Sequence, residues 1–190
     1  MLLAIDIGNT SICFGVFEGR RILKKFSMPT SGYAFKRLKN TLSVSSVDAA
    51  VISSVAPQAE SLLAADLKRK KGLPVYIIGK DLKVPLKNLY RNPSKVGSDR
   101  LVNAYAGIKF YGAPLVVVDF GTAVTFDAVS RDNAYLGGMI LPGLELSLQA
   151  LSQKGAFFLM SQSFSGLNRR RHFLLQELGR FADTVLKLKS

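Results

Sequence analysis

"LAIDIGNTSICFGVF" (residues 3–17) and "VVVDFGTAVTFDAVS" (residues 116–130) decide the fold. Each is an apolar strand that reaches Asp-x-Gly, passes through a small polar turn and resumes as a second apolar strand. Asp6 falls on Asp119, and Gly8 on Gly121. Alone, the first stretch reads as a plain hairpin with Ile7-Gly8-Asn9-Thr10 as its turn, although a carboxylate left unpaired in an apolar strand is costly. Two copies, each opening a meander, indicate a duplicated unit: two related lobes facing a cleft. Glycine permits close backbone approaches, so turn N–H groups can point at phosphate oxygens. Two facing turns can hold one triphosphate from both sides. Asp6 and Asp119, at the strand ends, then stand where cations must neutralise it.

The remaining pattern supports an α/β chain with mixed sheets and flanking helices. Residues 2–8, 11–17 and 22–27 read as a strand meander, with "EGRR" (18–21) as a turn. "GYAFKRLKNTLSV" (32–44) reads as a helix and 48–55 as a short apolar strand. Pro57 opens a helix that Gly72 closes, and 74–78 is another buried strand. Residues 79–96 are loop-rich, with Pro85 and Pro93, and a helix runs from about Ser98 to Tyr111. The second meander follows, and Pro142-Gly143 opens the short helix "LELSLQALS" (144–152). No linker or low-complexity stretch sets off a free-standing second domain.

The 190 residues are 48% hydrophobic and 21% charged, a globular composition able to bury a sizeable core. The single Cys13 excludes an internal disulfide, and with His172 the only histidine, triads and multi-histidine metal sites are disfavoured. Acid–base chemistry then falls to carboxylates. The N-terminus lacks a basic leader and no apolar run approaches the roughly 18 residues of a membrane span, so a cytoplasmic protein without membrane contact is expected. The formal net charge of +13 raises nucleic acid as a partner. Its lysines and arginines are dispersed, however, apart from "KRKK" (68–71), which suits a helix C-terminus, and "RRRH" (169–172). No recognition module or aromatic-basic ladder accompanies them, so nucleic acid is disfavoured, and the excess charge would also draw in polyanionic substrates such as ATP.

With these motifs in order, the chain resembles the type III pantothenate kinases, within the sugar-kinase, Hsp70 and actin superfamily. The resemblance rests on "DIGNT" (6–10), "NPSKVGSDRLVNAYAG" (92–107), "DFGTAVTFD" (119–127) and "YLGGMILPGL" (135–144). It implies duplicated ribonuclease H-like lobes: residues 1–112 as the first lobe with the catalytic segment, and 113–152 as the start of the second. By itself, Gly97-Ser98-Asp99-Arg100 reads as a helix N-cap without chemistry. The resemblance instead implies that Asp99 is the catalytic base, that Arg100 holds the substrate carboxylate, and that Gly97, Ser98 and Tyr90 complete the pantothenate site. Tyr90 also reads as a loop aromatic covering core. Asp6, Ile7, Gly8, Asn9, Thr10, Ser11, Ile12 and Cys13 form the implied ATP-phosphate loop. Asp6 acts on Mg²⁺ through water, Thr122 meets phosphate from the opposite lobe, and Asp119 binds K⁺ or NH₄⁺. A homodimer is implied, because family sites are completed across subunits. Asp127 reads as an inward carboxylate paired to a neighbour, without an assigned role, and Gly137-Gly138 and Pro142-Gly143 as close-packing positions under the phosphate site.

The resemblance stops near Ser152. Residues 153–190 match neither the threonine-bearing segment nor the adenosine-side motif of the family, so the second lobe is expected to be incomplete, its end divergent, frameshifted or truncated. Leu174, Leu178, Phe181, Val185 and Leu188 suggest an amphipathic helix there. Three readings follow: a kinase phosphorylating pantothenate in the first step of coenzyme A synthesis, a truncated or regulatory relative retaining ligand binding, and a basic nucleic-acid-binding protein.

Overall fold

Cover on both faces explains why β1 (Leu2–Ile7) is apolar at nearly every position. In this computed structural model, which describes residues 1–41 and 47–154, β1 pairs antiparallel with β2 (Ser11–Glu18) and parallel with β4 (Ala49–Ser54). β3 (Arg21–Pro29) pairs with β2, and β5 (Val75–Ile77) with β4, giving the order β3-β2-β1-β4-β5. One face carries Leu3, Ile5, Ile7, Ile12 and Phe14. Against it pack Leu38 of α1 (Phe35–Thr41) and Leu63 and Leu67 of α2 (Pro57–Lys71). The opposite face carries Leu2, Ala4, Cys13 and Val51, packed against Val102 of α3 (Ser98–Tyr111). Side chains alternate along a strand, so Asp6 shares the α3 side with Leu2 and Ala4. α2 runs between the boundaries its sequence announces: Pro57 lies in its first turn, and Gly72 takes a left-handed φ of 61° while its N–H caps the Leu67 and Lys68 carbonyls.

The second sheet has the order β6-β9-β8-β7, formed by β6 (Lys87–Asn88), β7 (Leu115–Phe120), β8 (Ala123–Val129) and β9 (Ala134–Pro142). β6 is parallel to β9 and the other pairs are antiparallel. α3 packs here too. A Cβ at Gly107 would stand 2.8 Å from Leu115 Cδ1 and 3.2 Å from Val117 Cγ2, so a small residue lets helix and strand approach. Along β7, Leu115, Val117 and Asp119 are half-buried while Val116, Val118 and Phe120 are exposed. Asp119 therefore lies on the α3 side of its sheet, as Asp6 does on the other. α4 (Leu144–Lys154) follows β9. The two strand–turn–strand units read from the sequence are thus present, with α3 as a wall shared by both sheets.

Two local expectations change. The helix expected over 32–44 is shorter, with a 3₁₀ turn at Thr30–Gly32 preceding α1, and 42–46 lie outside the described residues. The loop-rich 79–96 contains β6, which exists because it docks beside β9, and a 3₁₀ turn at Pro93–Lys95. The expected helix over 174–188 lies outside the described residues. Among the described residues no helix is long and apolar enough to cross a membrane.

Candidate active site

The two Asp-x-Gly turns meet. Gly8 N–H donates to the Ser11 carbonyl at 3.0 Å, and Gly121 N–H to the Ala123 carbonyl at 3.0 Å, so the two turns close with the same type of bond. The second is one residue shorter: Asp6 pairs across with Cys13, but Asp119 with Thr125. Between them, the exposed hydroxyls of Thr10 and Thr122 share a hydrogen bond of 3.0 Å. Each turn is buttressed from behind. Thr30 donates its hydroxyl to the Gly8 carbonyl at 2.7 Å and its N–H to the Thr10 carbonyl at 3.0 Å. Gly143 donates its N–H to the Thr122 carbonyl at 3.0 Å, and a Cβ there would collide with the Gly121 and Thr122 carbonyls.

α3 carries Asp99 in its first turn, close enough to Asp119 and Asp127 to feel their charges. The cap position is Gly97, which offers no side-chain cap bond, and a Cβ on it would run into Asp99 Oδ1. Asp99 accepts its neighbour Arg100 N–H at 2.9 Å, so it does satisfy one orphan first-turn donor. Ser98 turns away from capping: its hydroxyl lies 3.3 Å from that of buried Ser53 and 3.5 Å from the Ser54 carbonyl. The β1–β4 register sets Asp6 beside Ser53. This ties the start of α3 to the strand end that carries Asp6. One turn further along α3, Asn103 donates its amide to Asp119 Oδ2 at 3.4 Å. Asp99 and Asn103 are four apart and share a helix face.

Arg100 is anchored in the second sheet. Its Nε donates to Asp127 Oδ1 at 2.7 Å, its Nη2 reaches the same oxygen at 2.7 Å, and Nη2 also donates to the Phe126 carbonyl at 3.2 Å. Asp127 is fully buried and accepts Tyr135 Oη–H at 2.6 Å on Oδ1 and the Thr125 hydroxyl at 3.4 Å on Oδ2. The sequence reading of Asp127 as an inward, paired carboxylate matches this geometry. Gly137 and Gly138 lie against Tyr90 and Arg100 rather than under the two Asp-x-Gly turns, where they were expected. A Cβ at Gly137 would stand 2.8 Å from the Tyr90 ring, and one at Gly138 would stand 2.5 Å from Arg100 Nη2.

Electrostatics concentrates negative charge here. Burial pushes the Asp99 carboxyl above its ordinary range, and the carboxylates of Asp119 and Asp127 push it further, against the lowering effect of the Arg100 N–H and guanidinium. Burial lowers the Arg100 pKa, but the bond and charge of Asp127 outweigh that and raise it. Burial, then Asp127, raise Tyr135, so its phenol stays protonated. Thr10, Thr122 and Asp119 bring hydroxyl and carboxylate oxygens to the two turns, the donors that hard cations prefer. Among the described residues, no three His, Cys, Asp or Glu side chains form a metal cage. An arrangement in which phosphate oxygens and water supply most of the ligands suits that sparse donor set.

Of the phosphate-loop residues expected, Asn9 and Thr10 are exposed and Gly8 and Ser11 half-buried. Ile7, Ile12 and Cys13 are buried in the two cores, so only their backbone can address a ligand. Tyr90 is partly exposed in a loop, with its N–H on Asn88 Oδ1 at 3.0 Å. Sequence reasoning missed Thr30, Ser53, Asn103 and Tyr135. Only Asn103 carried a signal, its i+4 spacing from Asp99. Two surface concavities lie elsewhere: one of about 420 Å³ at Gly72–Tyr76, and one of about 530 Å³ along Pro57–Leu62. Both are open and lack the convergent polar groups of the turn junction.

Comparison with known proteins agrees with this geometry. A family model described as type III pantothenate kinase matches residues 2–161, past the Ser152 at which the sequence resemblance was placed. The type III pantothenate kinase of Persephonella marina is 43% identical over 166 residues, covering 82% of this chain and 65% of that protein. That of Rubrobacter xylanophilus is 41% identical over 170 residues, covering 82% and 63%. The chain thus spans just under two thirds of the length of these curated relatives. A solved structure from Campylobacter jejuni, described as a Baf family transcriptional activator, superposes with a TM-score of 0.52 at 21% identity, covering 98% of this chain and 77% of that one, a likeness of fold. By its family match and these identities, the chain belongs to the type III pantothenate kinase family.

Proposed function

We propose that the protein transfers the γ-phosphoryl group of ATP to the primary hydroxyl of pantothenate, giving 4′-phosphopantothenate for coenzyme A synthesis, and works as a cytoplasmic homodimer. The observation that carries this reading is the junction itself. Two glycine turns from different lobes meet through Thr10 and Thr122 beside a raised-pKa carboxylate, Asp99. Residues 1–112 form the lobe that brings Asp6 and Asp99, and 113–152 begin the lobe that brings Asp119 and Thr122.

In this reading the backbone from Asp6 to Cys13 and the Thr122 turn bind the triphosphate from opposite sides. Asp99 orients the pantothenate hydroxyl and takes its proton as the oxygen attacks phosphorus, and ADP leaves; phosphoryl transfer asks the protein chiefly for such positioning and charge stabilisation. A carboxyl with a raised pKa is a better proton acceptor than an ordinary one. Arg100, with Gly97, Ser98 and Tyr90, holds the acceptor. Asp6 would hold Mg²⁺ through water and Asp119 would hold K⁺ or NH₄⁺, and these cations supply neutralisation of the phosphate charge. Coupled detection of ADP tests the reading. Turnover that requires pantothenate, Mg²⁺ and K⁺ or NH₄⁺ supports it; ADP release indifferent to pantothenate overturns it.

A further inference from the structure

We infer that Asp127, clamped by Tyr135, is the positioning residue that mounts the Arg100 guanidinium in one orientation, so that the site selects an acceptor bearing a carboxylate over its neutral counterpart. This rests on the kinase reading and deepens it. A buried ion pair is a poor stabiliser compared with apolar packing, yet four polar groups converge here inside a small sheet: Arg100, Asp127, Tyr135 and Thr125. Asp127 Oδ1 alone receives Arg100 Nε, Arg100 Nη2 and Tyr135 Oη. Nη2 also donates to the Phe126 carbonyl. Both Nε and Nη2 are thereby held by the protein. Among the described residues, the hydrogen bonds and ion pair of Arg100 run through Nε and Nη2, not Nη1. The guanidinium is planar, so fixing Nε and Nη2 also fixes the direction of Nη1.

The neighbours of Arg100 are those of an acceptor pocket. Asp99 precedes it in the first turn of α3. Gly138 pairs with Asp127 across the ladder and leaves room for Nη2, and Gly137 beside it carries the Tyr90 ring. With Nε and Nη2 held, the Nη1 donors and the guanidinium charge face one way, and a carboxylate placed before them receives a charge-assisted hydrogen bond. A hydroxyl in its place leaves the cation poorly satisfied and is rejected on that account.

Calorimetric titration of the full chain tests this with two probes: pantothenate, and the alcohol in which CH₂OH replaces its carboxyl. The wild type is expected to favour the acid by about tenfold or more, the discrimination a charge-assisted hydrogen bond provides. Tyr135→Phe should erode that preference several-fold while leaving alcohol binding unchanged. Asp127→Asn should abolish it, and Asp127→Glu should restore part of it. Equal loss of both ligands, or unchanged preference in Tyr135→Phe, overturns the proposal. Where Asp127→Asn does not fold, Tyr135→Phe decides. A ligand-independent arm follows the Arg100 Nε–H resonance of ¹⁵N-labelled protein. A slowly exchanging signal in the wild type that accelerates in Tyr135→Phe supports the mount, and rapid exchange in the wild type overturns it. Should the wild type bind no pantothenate, the kinase reading fails, while this arm still decides the mount.

Discussion

Replacing Gly138 in β9 by alanine should cost more stability than the same change at Gly8 in the first turn. The added carbon would stand 2.5 Å from Arg100 Nη2 and 2.8 Å from the Phe126 carbonyl carbon, and nearer still to the carbonyl oxygen. Ordinary contact begins near 3.4 Å and the Phe126 carbonyl oxygen would stand at 1.7 Å, so β8 and β9 must separate by well over an ångström, and Arg100 must give way as well. Separation alone is overpacking, worth about 1–3 kcal/mol. Expelling Arg100 strands the buried Asp127 charge, worth about 3–5 kcal/mol. Taking about 3 kcal/mol, and about 2–4 °C per kcal/mol for a chain of this size, the Tm should fall by about 6–12 °C. Circular dichroism melts of wild type and Gly138→Ala measure this directly. Gly8→Ala is the control: its Cβ would lie 3.3 Å from the Ser11 carbonyl oxygen, a contact small adjustments relieve. A Gly138→Ala melt within 1 °C of wild type, or a larger drop in Gly8→Ala, refutes the reasoning.

Asp99→Asn should lower pantothenate-dependent ADP formation by about 10²–10⁴-fold, the usual worth of a general base, with KM for pantothenate little changed; initial-rate kinetics check both. The rate should rise with pH through an apparent pKa above the ordinary carboxylate range, since burial and the Asp119 and Asp127 charges raise Asp99. The same shift fixes a stability slope: the folded state holds the Asp99 proton more tightly than the unfolded chain. Stability should therefore fall as pH climbs from about 3.8 through the raised value. Asp99→Asn should flatten that fall in urea titrations across this window. Finally, the double variant Thr10→Cys/Thr122→Cys should form a reducible cross-link under mild oxidation, because the two hydroxyls are 3.0 Å apart. Mg-ATP should slow it, and a failure to cross-link on non-reducing gels would separate the two turns.

The parts of the fold legible in sequence are those governed by local rules. A carboxylate inside an apolar run marked Asp6 and Asp119, glycine punctuation marked both turns, and Pro57 and Gly72 bracketed α2. The rest depends on pairings between residues distant in the chain. Nothing local says that Thr10 rather than Asn9 meets Thr122, because that contact is set by how the two sheets pack; nor does it say that the second turn is one residue shorter, which the ladder registers reveal. Arg100 read as a free fork for substrate because its sequence neighbours give no hint of Asp127, 27 residues on. Ser53 and Ser54 read as a strand end, and act as an anchor only because α3 returns beside β4. Lys87–Asn88 became a strand by docking against β9, a tertiary event without a periodic signature.

α3 touches both sheets along its length and carries Asp99 at one tip. From Asp99 to Tyr111 the rod is about 18 Å long at ~1.5 Å per residue. A tilt of about 10° pivoted at the far end would swing the carboxylate by about 3 Å, the whole reach of a hydrogen bond. Any bending between the two sheets is thus geared up at the tip, so the angle at which they clasp the rod sets where the Asp99 carboxyl stands.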